Sequence, residues 1–159
     1  MLLIEQNSLA DEIATLVSNY GKDRSSLIPI LQDIQKKYHY ISEFAQQEIA
    51  NQLDIHPVEV YSVISFYSFL SSKPQGKFLI RLCQTITCDL KGKENIANAI
   101  EREFGLRFGE TSKDGKITLE YANCLGMCDM GPAMLINDEI YTKLNTEKAV
   151  EIIKNKLGK

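Results

Sequence analysis

All four cysteines of the chain fall between positions 83 and 128, in two close pairs, and the first half has none. The first pair is Cys83-Gln84-Thr85-Ile86-Thr87-Cys88, with four residues between the thiols; the second is Cys124-Leu125-Gly126-Met127-Cys128, with three. A fold that uses the pairs together must bring two segments far apart in sequence to one place. The start, Met1-Leu2-Leu3-Ile4-Glu5-Gln6-Asn7, lacks the basic residues and apolar stretch of a secretory signal. A cytoplasmic location is therefore expected, where thiols stay reduced and structural disulfides are rare. Cysteines that cluster in that setting are metal ligands or redox groups.

The flanking sequence says how such pairs would be presented. Lys77 to Leu82 reads as a short strand feeding directly into Cys83, and Ile117, Leu119 and Tyr121 alternate as a half-buried strand should before Cys124. Loops at strand ends offer short side chains from a rigid base, and adjacent strands would bring both pairs together. A 2Fe-2S cluster needs four thiolates, two on each iron, which two pairs supply directly. Gly126 suits a tight loop whose backbone N–H groups approach sulfur. Structural zinc with four cysteines favours closer spacing, yet a zinc-stabilised interaction module stays open on spacing alone. So does a stand-alone thiol–disulfide enzyme, although no C-x-x-C is present. The plant-type run with a third cysteine soon after the second is broken by Asp89-Leu90-Lys91.

The rest of the chain divides in two. Residues 1–73 read as a helical region. Ser8 is an expected N-cap for a helix carrying Leu9, Ile13, Leu16, Val17 and Tyr20, stopped at Gly21. A second helix starts near Ser25 or Ser26, Ser42 caps a third, and Pro57 opens a fourth. Lys73-Pro74-Gln75-Gly76 breaks the pattern, and residues 74–159 follow in the order β, α, β, β, β, α. The α of that series begins near Gly92 and ends at Gly105; Ala133 to Ile136 and Ile140 to Thr142 form a hairpin; Asn145 or Thr146 caps the last helix. The expected class is α+β: a small helical bundle, then a small sheet with helices packed on it. Gly131-Pro132 is expected as a trans bond in a turn.

Composition excludes several functions. The net charge is −3 with scattered basic residues, which gives no footprint for nucleic acid. The most apolar stretch, Val58 to Leu70, is interrupted by polar side chains and too short to span a membrane. Its large residues, Val58, Tyr61, Ile64, Phe66, Tyr67 and Phe69, face more than one side of a helix and suggest an interface. His39 and His56 are expected at helix ends or on the surface, not as ligands.

With these blocks in view, the sequence resembles the NuoE-type thioredoxin-like 2Fe-2S ferredoxin subunits, the 24 kDa subunit family of respiratory complex I. Its relatives occur in NAD-linked or electron-bifurcating hydrogenases and formate dehydrogenases. The resemblance covers about residues 25–157 and is carried by Leu27 to Gln35, His56 to Tyr61, Ser65-Phe66-Tyr67 and Gly76-Lys77. It continues through both cysteine pairs, Asp114-Gly115-Lys116 and Gly131 to Asp138. It implies a thioredoxin-like α/β domain after the helical region, and one 2Fe-2S cluster ligated by Cys83, Cys88, Cys124 and Cys128. It implies a non-catalytic electron-transfer subunit beside a flavin- and NAD(P)H-binding subunit, with FMN and NAD(P)H on that partner and further iron–sulfur subunits beyond. No nucleic acid and no direct membrane insertion are expected. Thr87 stands where many relatives have Ala or Pro, and Asp89 where they have an aromatic residue or His. A carboxylate beside the cluster should favour its oxidised state. The 84–87 segment looks closer to soluble hydrogenase-type members than to complex I.

Overall fold

The computed structural model describes residues 2–158, with side chains from Gln6 onward, and divides the chain into two compact units, Met1–Pro74 and Gln75–Lys159. The first unit is helical: α1 (Leu2–Tyr20), a short 3-10 turn (Arg24–Ser26), α2 (Leu27–Tyr38), α3 (Glu43–Leu53) and α4 (Pro57–Phe66). Helix α1 begins well before Ser8, which lies inside it rather than capping it. Residues 2–7 hold no breaker and several good helix formers, so the helix propagates through them. It stops where Gly21 takes a φ of +96° and its N–H reaches the Val17 carbonyl at 2.9 Å.

Local capping sets the other ends. Ser42 Oγ accepts from the Ala45 N–H at 3.2 Å, and the Glu59 carboxylate accepts from the His56 N–H at 3.2 Å ahead of α4. His39 ends α2 in the left-handed region and His56 caps α4. Ile13, Ile30, Leu31, Ile34, Ile41, Ala45, Ile49, Val60 and Ile64 form the core of this unit. A polar tie crosses it, for the Glu12 carboxylate accepts from the Tyr38 hydroxyl at 2.6 Å and the Lys37 ammonium at 2.7 Å. The residues of the apolar stretch separate. Val60, Ile64 and Leu70 are buried, whereas Val58, Tyr61, Phe66 and Phe69 stay exposed, Phe66 by 80%.

The second unit comprises β1 (Phe78–Cys83), α5 (Ile86–Leu90), α6 (Lys93–Phe104), β2 (Ile117–Ala122), β3 (Met134–Ile136), β4 (Glu139–Tyr141) and α7 (Thr146–Leu157). Its sheet runs β2-β1-β3-β4, with β1 and β2 parallel and the remaining pairs antiparallel. Ile80, Leu82, Leu119, Met134 and Ile136 of the sheet share one core with Ile96 and Ile100 of α6 and Ala149 and Ile153 of α7. Gly92 and Gly105 bound α6, and Asn145 Oδ1 accepts from the Lys148 N–H at 2.8 Å to cap α7.

Two further features depart from expectation. Helix α5 is an addition to the anticipated order. Its five residues are too few to show a period, and it is anchored by Thr85, whose carbonyl accepts from the N–H groups of Cys88 and Asp89, both at 3.0 Å. The Gly131-Pro132 bond is cis, not trans. An X–Pro bond prefers trans by only about 0.5–1 kcal/mol, so the surroundings decide it. Here the carbonyls of Met130, Pro132 and Ala133 accept from the N–H groups of Lys143 (2.7 Å), Leu144 (3.2 Å) and Cys83 (3.0 Å). Among the described residues, no helix is long and apolar enough to cross a membrane.

Candidate metal centre

The parallel pairing of β1 with β2 aligns Cys83 with Ala122, so Cys124 follows two residues beyond the partner of Cys83. The strands remain tied past their ends. The Gln84 N–H donates to the Ala122 carbonyl at 2.8 Å, and the Gln84 side-chain amide to Asn123 Oδ1 at 3.0 Å. Cys83 sits on the last residue of β1 and Cys88 on α5, both almost fully buried. Cys124 and Cys128 lie on the following loop and are exposed; all four are free thiols. Gly126 takes a φ of +76° between them, which turns the chain and aims its N–H at Cys124 Sγ, 3.4 Å away.

The thiols gather two by two. Cys124 Sγ and Cys128 Sγ are 3.9 Å apart, close to the ~3.8 Å edge of a tetrahedron built on metal–thiolate bonds of about 2.3 Å. The Cys83 and Cys88 thiols are electrostatic neighbours, each shifting the proton affinity of the other. Two pairs are the donor set of a binuclear cluster. A single four-thiolate zinc ion would need its donors around one point, and among the described residues no three His, Cys, Asp or Glu side chains meet in that way. The residues present thus fit a 2Fe-2S cluster better than a mononuclear ion.

The two members of the inner pair differ electrostatically. Burial raises the Cys83 thiol, but the Thr85 hydroxyl, 3.2 Å from the sulfur, and the N–H groups of Thr85 and Leu125 outweigh it and bring the thiol below its ordinary value. Burial pushes the Cys88 thiol up, against a hydrogen bond from Ala133, and the neighbouring Cys83 sulfur pushes it further. On the outer pair, the hydrogen bond and charge of Cys124 raise Cys128. Donors already directed at sulfur are what a thiolate–metal site needs around it.

Three further residues shape the centre, and none stands out from the sequence as acting on it. Thr85 holds Cys83 and starts α5. The Lys91 ammonium donates to the carbonyls of Cys128 and Asp129, each at 3.1 Å. Gly131 leaves room where a Cβ would come within 3.1 Å of Cys88 Sγ and 3.7 Å of the Lys91 stem. A threonine two residues past one cysteine and a lysine three past the next are the available signals, and each is too common to carry weight.

The profile of the thioredoxin-like 2Fe-2S ferredoxins matches residues 13–157. The chain belongs to that family. Its cofactor is accordingly one 2Fe-2S cluster. The chain is 37% identical over 141 residues to the NAD-reducing hydrogenase HoxS subunit alpha of Cupriavidus necator, spanning 89% of this chain but 23% of that protein. It is also 37% identical over 142 residues to an NADH-quinone oxidoreductase subunit of Buchnera aphidicola subsp. Baizongia pistaciae, spanning 89% of this chain and 82% of that one. A crystal structure of an NAD+-reducing NiFe hydrogenase in its air-oxidised state superimposes with a TM-score of 0.69 at 21% identity, over 80% of this chain and 23% of that chain. That likeness supports the thioredoxin-like fold.

Proposed function

We propose that the chain is an electron-transfer subunit whose Cys83, Cys88, Cys124 and Cys128 ligate the 2Fe-2S cluster. The observation that carries this is the arrangement of four free thiols in two pairs at the ends of adjacent parallel strands. The cluster supplies one-electron chemistry. Cys83 and Cys88 hold the buried side, with Thr85 and the Leu125 and Ala133 N–H groups supporting their sulfurs; Cys124 and Cys128 hold the side open to a redox partner. The chain carries no catalytic group of its own in this reading.

Its setting is a soluble, cytoplasmic multisubunit oxidoreductase, with FMN and NAD(P)H on a neighbouring subunit and further iron–sulfur subunits beyond. An NAD(P)-linked hydrogenase or formate dehydrogenase, including electron-bifurcating forms, is the first reading, supported by the likeness to the hydrogenase subunit. The peripheral arm of complex I is the second, supported by a relative of comparable length, of which this chain spans 82%. The exposed Val58, Tyr61, Phe66 and Phe69 suit docking to the flavin subunit. The ligand reading is tested by replacing each cysteine with Ala and measuring iron, sulfide and the EPR signal of the reduced protein. Each variant is expected to lose most of all three. Wild-type iron in any one of them removes that residue from the ligand set.

A further inference from the structure

The inner and outer cysteine pairs come from different parts of the chain, and one cationic side chain spans them. Lys91 is the residue on which α5 ends, three positions beyond Cys88. Its stem runs past the open space at Gly131, where an added Cβ would meet both Lys91 Cδ and Cys88 Sγ. Its ammonium ends between the carbonyls of Cys128 and Asp129, 3.1 Å from each. Both carbonyls lie in the loop of the outer pair, which is exposed and whose two sulfurs approach each other without a covalent bond. A carbonyl pair that accepts from an ammonium is held more firmly than one facing water, because charge-assisted hydrogen bonds are about twice as strong as neutral ones.

We propose that Lys91 is a positioning residue for electron transfer: it fixes the Cys128 loop against the helix that carries Cys88 and favours the reduced state of the cluster. The inference rests on the assignment of the four cysteines as ligands. Two physical consequences follow from one contact. As a tether, Lys91 keeps Cys128 at the distance from Cys124 that one iron requires. As a charge, it sits on the backbone of a ligand residue, where one added electron makes the site more negative and a fixed cation lowers the cost of adding it. No proton or group moves; the step is the gain of one electron from the redox partner.

The test uses the full-length, cluster-loaded chain. Lys91→Gln keeps an N–H donor for the carbonyls but removes the charge, and Lys91→Arg keeps the charge with a longer reach. Iron and sulfide content, the EPR spectrum and the reduction potential are measured for each at low and high ionic strength. In Lys91→Gln the equilibrium constant for reduction is expected to fall severalfold at low salt, a tenfold fall being 59 mV for one electron. The difference from wild type should shrink at high salt as screening sets in. Lys91→Arg should stay near wild type. A loaded Gln variant with wild-type potential and wild-type salt dependence overturns the proposal, since a purely structural tie would alter stability and leave the potential alone. If the Gln variant fails to load while the Arg variant loads, the cation is required at the loop and the proposal stands. If both fail, a cation able to reach the same carbonyls is not enough, and it falls. Failure of the ligand assignment would show separately, as cysteine variants that keep their iron whatever happens at position 91.

Discussion

The Asp89 carboxylate lies 3.3 Å from the Lys93 ammonium, one turn further along, in a side-chain pair where Lys93 is only 11% exposed. The same ammonium reaches the Glu94 carboxylate at 2.9 Å and lies 5.3 Å above the Tyr121 ring. The Glu94 carboxylate first, and then Asp89, hold Lys93 above the usual ammonium range in spite of its burial. Asp89 is the residue that follows Cys88, and its carboxylate alone would disfavour reduction of a cluster held there. Paired with Lys93, most of that effect is offset.

Asp89→Asn leaves the Lys93 ammonium facing Glu94 alone, and is therefore expected to raise the reduction equilibrium constant severalfold at low salt, a tenfold rise being 59 mV for one electron. Lys93→Met, which leaves Asp89 and Glu94 uncompensated, should lower the potential instead. An EPR-monitored redox titration of both variants decides it. Unchanged potentials in both variants would mean that neither charge of the pair is felt at the cluster.

Gly76 offers a test of the sheet that supports the centre. A Cβ there would sit 2.6–2.9 Å from the backbone N, Cα and C of Ile117, none of which belongs to a flexible side chain. Its N–H also donates to Thr118 Oγ1 at 2.6 Å. Gly76→Ala should destabilise the second unit by about 3 kcal/mol, the upper end of overpacking costs. Thr118→Val, which removes only the hydroxyl, should cost about 1–2 kcal/mol. Denaturant unfolding of the full chain gives both values, and equal losses would contradict the steric account.

Removal of the cluster should act locally. The core of Ile80, Leu82, Ile96, Ile100, Leu119, Met134 and Ile153 closes without any thiol, whereas the cysteine loops lean on a separate small cluster of Cys83, Cys88 and Ala133 with Leu125 and Met127. Iron-free protein is expected to melt at a lower temperature. Hydrogen exchange should quicken mainly over residues 84–91 and 123–131 and change little in α6 and α7. Equal protection with and without iron would show that the loops are preformed.

The helical unit should carry an acid limb of its own. Burial pushes the Glu12 carboxyl up, but its hydrogen bonds from Lys37 and Tyr38 prevail and hold it below the ordinary carboxylate value. A depressed folded value means that the ionised form stabilises the fold. That contribution is present in full above the ordinary carboxylate range and lost as pH falls through the folded value. Glu12→Gln should therefore lower stability at neutral pH and flatten the decline below about pH 4.5. Thermal melts of both proteins from pH 7 to pH 3 measure it, and parallel curves would assign the acid sensitivity elsewhere.

Much of the architecture was legible residue by residue because its signals are local. Ser42 and Asn145 mark helix starts through contacts within three positions and Pro57 through its fixed backbone angle, while Gly21, Gly92 and Gly105 mark helix boundaries through a backbone conformation that glycine reaches without strain. A short run from Lys77 to Leu82 and the alternation of Ile117, Leu119 and Tyr121 placed a strand before each cysteine pair, and the pairing itself pointed to two irons. Ser8 misled because a cap-forming residue is also tolerated inside a helix when what precedes it is helix-forming.

By itself, then, the sequence determined the helical first half, the strands, and the two thiol pairs at their ends, since all of these depend on periodicity and on hydrogen bonds between near neighbours. Tertiary structure alone decided the parallel β1–β2 register that sets Cys83 opposite Ala122, the cis bond before Pro132, the neutralising partner of Asp89 and the reach of Lys91 to carbonyls 37 and 38 residues away. The physical reason is range. A contact that closes only when distant segments are already packed leaves no pattern in the residues beside it.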